Sequence, residues 1–212
     1  MNPGSPGGRR WRIGLTGGFG CGKSAVGGYL QELGAIVRDA DDVAHDVMRA
    51  GQPAFEKVVE RFGRAVVGLD GEIDRPALGR RVFADTAERR ALEALVHPEV
   101  IRILRAWADE TAGRGDLPVG IVPLLFEVDL AGLWDRVICV GAPEAVVLER
   151  LAKRGVPVKD ARARIAAQLP VEEKMKRADY TIRNEGSERE LQQATRHVWE
   201  KILKEERMRH AR

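Results

Sequence analysis

Cysteine is almost absent from this 212-residue chain; Cys21 and Cys139 are its only two. They cannot build a disulfide framework and form no CxxC pair, so a reducing cytosol is the expected compartment. Aromatic residues contribute only 5%, and Trp11, Trp107, Trp134 and Trp199 recur without periodicity, as core or cleft-wall residues would. No apolar run approaches the ~20 residues that span a bilayer, which excludes a transmembrane helix. Residues 1–12 are basic but lack an apolar segment, so no secretory signal is expected. The four histidines and two cysteines fall at no metal-ligand spacing, which speaks against a structural zinc. Internal repeats are absent, and the low-complexity stretch NPGSPGG at 2–8 reads as part of a disordered leader.

The composition itself is that of a globular protein. A hydrophobic fraction of 44% can bury a core, and 32% charge is above average without approaching a disordered polyampholyte. The length suits one domain carrying an insertion or lid. The formal charge of +3 invites a nucleic-acid partner until it is located. Arg9, Arg10 and Arg12 supply three positive charges, and residues 201–212 a net three more, which leaves −3 between them. The basic character belongs to the ends, so no nucleic-acid partner is expected.

Short apolar runs at 11–16, 35–38, 118–122, 136–140 and 180–182 read as strands. Helical periodicity marks 23–33, 42–50, 54–62, 76–84, 87–95, 99–112, 143–154, 158–168 and 188–206. In the last of these Leu191, Thr195, Val198 and Ile202 share one face, as in a helix docked on a core. Strands separated by helices imply right-handed crossovers and a parallel sheet covered on both faces. The interval from 42 to 117 holds several helices and no strand, more than one crossover needs. The expectation is therefore an α/β domain over 11–207, with a leader at 1–10 and a basic tail at 208–212. Within it lie a helical insertion at about 53–112 and a helical lid at about 143–168.

Six of the 23 glycines lie between 17 and 28. Among them Gly17-Gly18-Phe19-Gly20-Cys21-Gly22-Lys23-Ser24 satisfies G-x-x-x-x-G-K-[ST], after an apolar strand and at the start of a helix. The glycines let backbone N–H groups turn inward around phosphate oxygens, and the helix beginning at Lys23 and Ser24 adds its positive end. Lys23 can reach the β/γ-phosphates and Ser24 can ligate Mg²⁺ brought by the nucleotide. Cys21, near a helix N-terminus, is read either as a thiol of lowered pKa or as a small residue filling its place. Asp39, Asp41 and Asp42 follow the second strand; one could orient a hydroxyl for attack on a γ-phosphate, or all three could cap the next helix. A D-x-x-G run at Asp129 and the segment Lys176-Arg177-Ala178-Asp179 suggest a GTPase only superficially, since Met175 stands where a guanine-specificity motif needs Asn or Thr.

Other blocks fall in order along the chain: Leu33-Gly34-Ala35 leading to Asp39-Ala40-Asp41 and Ala44-His45; Asp74-Arg75 with Leu78, Val82 and Phe83; Leu92-Glu93 with His97-Pro98. They are followed by Val122-Pro123-Leu124-Leu125-Phe126-Glu127, then by Ala178-Asp179-Tyr180 with Asn184 and Gly186. With the phosphate loop, these blocks resemble the dephospho-CoA kinase family over residues 13–197. Cys21 replaces that family's usual Ser, and Arg38, Val147, Arg183 and the Gly120-Ile121-Val122 run also depart from its pattern.

The resemblance implies a three-layer P-loop NTPase fold with a parallel five-stranded sheet, and ATP and dephospho-CoA as substrates. It places Gly17 to Ser24, with Ala25, around the phosphates of ATP and Asn184 beside its adenine. Asp41 would act on the 3′-hydroxyl, and His97, Leu125 and Glu127 would shape the acceptor cleft. Arg150 and, after it, Arg154 and Arg164 would be the lid arginines that cover phosphate. Read from position alone, His97-Pro98 ends one helix and starts another, so His97 serves equally well as a turn residue. Another small-molecule or nucleotide kinase, or an NTP-dependent regulatory or nucleic-acid-binding module, remains the alternative on the phosphate loop by itself. A monomer is expected.

Overall fold

The computed structural model describes residues 9–210. In chain order the elements are β1 (Ile13–Gly17), α1 (Lys23–Glu32), β2 (Ile36–Asp39), α2 (Ala40–Val47), α3 (Pro53–Phe62), α4 (Arg75–Ala84), α5 (Thr86–Gly113) and β3 (Pro118–Ile121). The chain continues through β4 (Arg136–Gly141), α6 (Glu144–Lys153), α7 (Val158–Ala166), α8 (Val171–Arg177), β5 (Tyr180–Arg183) and α9 (Glu188–His210). The strands form one sheet in the order β2-β3-β1-β4-β5. β1 runs parallel to β3 and β4, with Leu15 opposite Ile121 on one side and Ile138 on the other, and β4 runs parallel to β5. All five expected strands are present, within two residues of their expected ends.

The chain divides into two compact units. One comprises the residues through Arg38 and those from Ala108 onward; the other runs from Asp39 to Trp107. The helical unit thus begins earlier than the expected insertion and takes in α2.

In the sheet unit every residue of β1 and β3 is buried, as is nearly all of β4. That is the mark of parallel strands covered on both faces, and it explains why these segments read as continuous apolar runs rather than alternations. Gly14 and Gly120 sit side by side on β1 and β3, where a Cβ on either would run into the Trp134 indole. Their smallness is what lets that ring lie flat on the sheet. α9 packs on α1 and β5, and Leu191, Thr195, Val198 and Ile202 are all buried as expected.

The ends of the chain are less free than the sequence suggests. Residues 1–8 of the expected leader lie outside the described residues. Arg9, however, reaches Asp135 at 3.0 Å, and Arg10 reaches Glu206 at 2.6 Å. Glu206, only 1% exposed, also accepts the Trp11 N–H at 2.7 Å and so ties α9 to the start of β1. The expected tail at 208–212 is helical through His210. Folding thus matches Arg9, Arg10 and Arg12 to acidic partners, while Lys201, Lys204, Arg207 and Arg209 of α9 stay exposed.

In the helical unit, Val43, Val47, Ala54, Val58, Phe62, Val66 and Leu78 are buried. Asp74 caps α4 by accepting the Ala77 N–H at 3.0 Å, with Pro76 in the first turn. The break expected at His97-Pro98 does not occur, because α5 continues through Pro98. Proline costs the helix one hydrogen bond, but Val96, Val100 and Leu104 form a buried stripe of period four across it, and that burial outweighs the lost bond.

Candidate active site

β1 ends at Gly17 and α1 starts at Lys23, so residues 18–22 form the phosphate loop. Gly22 is the helix N-cap at φ 97°, a left-handed conformation that favours glycine, and no side chain caps the helix. A helix start without a side-chain cap is the arrangement that suits an anion. Lys23 Nζ folds over the loop, donating to the carbonyls of Gly17 at 3.2 Å and Gly18 at 2.9 Å. Ser24 and Ala25 are exposed in the first turn of α1, and Phe19 is half-buried beneath the Arg164 guanidinium, 5.3 Å from its ring centroid.

Cys21 is buried, at 2% exposure, and its N–H closes the loop onto the Gly18 carbonyl. Burial pushes its thiol pKa up, against the pull of Lys23. The lowering expected from a helix N-terminus is thus reversed by desolvation, and Cys21 acts as a small packing residue.

Asn184 stands against the loop. Its Nδ2 donates to the Cys21 carbonyl at 3.0 Å, and its own N–H donates to the Gly141 carbonyl at the end of β4. Arg150 on α6 closes this corner, with one nitrogen on the Asn184 carbonyl and another on that of Gly186, both at 2.9 Å. Both arms of its guanidinium fork donate to backbone carbonyls. Arg154, at the C-cap of α6, is exposed, as is Arg164 on α7.

Behind the loop lies the segment after β3. Leu125 has no exposed surface and packs beside Gly14, so it supports the site from within rather than lining a cleft. Glu127 Oε1 meets Lys174 Nζ at 2.7 Å and accepts the Leu169 N–H at 3.0 Å. Lys174 is fully buried and was not singled out in the sequence. Its signal was present: it lies three residues after Val171 and next to Met175, on the apolar side of a short helix that was itself missed.

In the helical unit Asp41 is exposed in the first turn of α2, and Asp39 caps that helix by accepting the Asp41 N–H at 2.8 Å. The two readings of the aspartates thus separate: Asp39 is the cap, leaving the Asp41 carboxylate outside that role. His97 is half-buried within α5.

The family model for dephospho-CoA kinase matches residues 11–190. The chain belongs to the dephospho-CoA kinase family. It is 44% identical to the dephospho-CoA kinase of Carboxydothermus hydrogenoformans over 177 residues, which cover 82% of this chain and 86% of that one. Among solved structures it is similar to a Thermus thermophilus protein, at 36% identity and a TM-score of 0.77, covering 92% of this chain and 98% of that one. It is also similar to the dephospho-CoA kinase from Campylobacter jejuni, at 25% identity and a TM-score of 0.64, covering 90% of this chain and 96% of that one. The family match takes in both the phosphate loop and the Asn184-Gly186 corner, so the fold of this site is the fold of a P-loop kinase. Among the described residues, no helix is long and apolar enough to cross a membrane.

Proposed function

We propose that the protein transfers the γ-phosphoryl group of ATP to the ribose 3′-hydroxyl of dephospho-CoA, giving coenzyme A and ADP. The observation that carries this reading is the uncapped start of α1 behind Gly22, with Lys23 folded over it, in a chain of the dephospho-CoA kinase family.

The loop N–H groups hold the nucleotide phosphates, and Lys23 offsets the charge that builds on the transferring group. Asp41 orients the 3′-hydroxyl and accepts its proton. Its place at the start of α2, with its N–H already capped by Asp39, leaves the carboxylate available for this. Mg²⁺ entering with the nucleotide would screen the β- and γ-oxygens, and the exposed hydroxyl of Ser24 is the protein group suited to hold it. Asn184 and Gly186 form the nucleotide's other wall, and Arg150 braces that wall through their carbonyls. The lid charge over phosphate then falls to Arg154, exposed at the end of the same helix. Glu127 and Leu125 support the acceptor side within the sheet unit, and in the helical unit His97 would serve the acceptor. The protein works as a monomer in the cytoplasm.

ADP release is measured across dephospho-CoA, adenosine, nucleoside monophosphates and shikimate. Stimulation by dephospho-CoA alone is expected; no rise above the acceptor-free rate would overturn the assignment.

A further inference from the structure

Lys174 heads the fully buried side chains by size, yet it is a cation with none of its side chain exposed. Its Nζ lies 2.7 Å from Glu127 Oε1 and donates to the Pro123 carbonyl at 3.0 Å and to Gln168 Oε1 at 3.2 Å. It also reaches the Gly17 carbonyl at 3.5 Å, the same oxygen that Lys23 contacts. An ammonium carries three protons, so these four acceptors compete for it.

A buried ion pair is a poor stabilising device. Desolvation of both charges consumes most of its Coulombic gain, and an apolar pair of equal volume usually serves the fold as well. The choice of acceptors gives the pair another meaning. One opens the phosphate loop, two follow β3, and one lies on the limb joining α7 to α8. Glu127 Oε1 grips the same limb through the Leu169 N–H, while Glu127 Oε2 is buried without a protein donor. Between the limb and the loop lies a cavity of about 470 Å³, bounded by Gly18 and Phe19 on one side and by Gln168 and Leu169 on the other. The limb therefore has space beside it and is held at one charged point.

We propose that Lys174 is a positioning residue for phosphoryl transfer, coupling occupation of the phosphate loop to the placement of the 168–171 limb. Nucleotide phosphates draw the loop's N–H groups and shift the Gly17 carbonyl. Lys174 passes that shift to Gln168 and, through Glu127, to Leu169. This role deepens the kinase reading and rests on it only for its activity readout.

Lys174→Met strands the Glu127 carboxylate and can fail to fold, so the informative variant is Lys174→Met combined with Glu127→Gln, which removes both charges. Amide exchange over 165–172 is followed with and without ATP. In the wild type, ATP is expected to slow exchange at 168–171 by about tenfold. In the double variant, at an unchanged melting temperature, that slowing should disappear. In parallel, transfer should fall by on the order of 30- to 100-fold, as for a displacement near 1 Å, and acceptor-free ATP hydrolysis should fall far less. A full ATP response in exchange, or wild-type transfer in the double variant, overturns the proposal, because the pair would then only neutralise itself. Exchange does not involve the acceptor. Loss of coupling in a protein that ignores dephospho-CoA would sustain the role of Lys174 while refuting the acceptor assignment.

Discussion

Along β1, β3 and β4 almost every side chain is buried, whereas in α2, α3 and the middle of α5 burial returns only every third or fourth residue. The two units differ as much in what they bury. Thr16, Thr111, Lys174, Asn184, Thr195 and Glu206 are the buried polar or charged side chains among the described residues, and all six belong to the sheet unit. In the helical unit no described charged residue is fully buried; Arg61 and Arg81 flank the Phe62 ring at the surface and meet Glu88, whose side chain is 17% exposed. Most polar groups that a sheet closed on both faces encloses are paired, as Lys174, Asn184, Thr195 and Glu206 are, and each pairing fixes geometry. An amphipathic helical layer fixes less and leaves more surface for contact. The proposed function gives each unit a different task to test, Lys23 in the sheet unit acting on the nucleotide and Asp41 in the helical unit on the acceptor hydroxyl.

The sharpest way to break that contrast is a pair of substitutions, one per unit. Lys23→Ala should lower turnover by on the order of a thousandfold and weaken ATP binding, because the charge it offsets is the nucleotide's. Asp41→Asn should lower turnover by about 10²- to 10⁴-fold, the usual worth of a proton acceptor, with ATP affinity unchanged. Steady-state kinetics and calorimetric ATP binding separate the two. If Asp41→Asn also weakens ATP binding, the division fails.

A second test compares cores. Ile138→Ala, at a site with no exposure, should cost about 4 kcal/mol, since the sheet cannot close over the hole. Ile73→Ala, 8% exposed beside a lone antiparallel bridge, should cost nearer 2 kcal/mol, because its surroundings can collapse. Equal losses in denaturant titrations would mean the helical unit is as tightly packed as the sheet.

The smallest expected effect concerns acid. Burial alone would raise the Asp135 pKa, but hydrogen bonds from the Arg12 side chain and backbone outweigh it and hold it below the usual carboxylate range. A carboxylate with a lowered folded pKa contributes stability that is full above its unfolded pKa, about 3.9, and is lost as pH falls through the folded value. Asp135→Asn should therefore cost stability at neutral pH and flatten the decline below about pH 4. Melting curves from pH 3 to 7 read this directly, and an unchanged acid limb would remove Asp135 from the seam at the start of β1.

Much of the fold was legible because its signals are local. Five apolar runs became five strands, and the phosphate loop is one unbroken string of residues whose spacing is its chemistry. The misreadings share another cause. Pro98 was taken to end a helix on a short-range rule, which the buried stripe of α5 overrides. Arg150, expected over phosphate because the family's lid arginines map onto it, also has partners that no local pattern announces, the carbonyls of Asn184 and Gly186. Leu125, which the resemblance places at the acceptor cleft, has no exposed surface, a depth that local pattern does not reveal.

By itself the sequence determined the five strands in their chain order, the anion-binding turn and the family, because each is written in short runs of neighbouring residues. Only the tertiary structure decided that Lys174 reaches a carbonyl 157 residues away, that Asn184 braces the loop across 163, and that Glu206 receives Arg10 across 196. Those pairings depend on which charges burial forces to find partners, and that is settled only when the whole chain has closed around them.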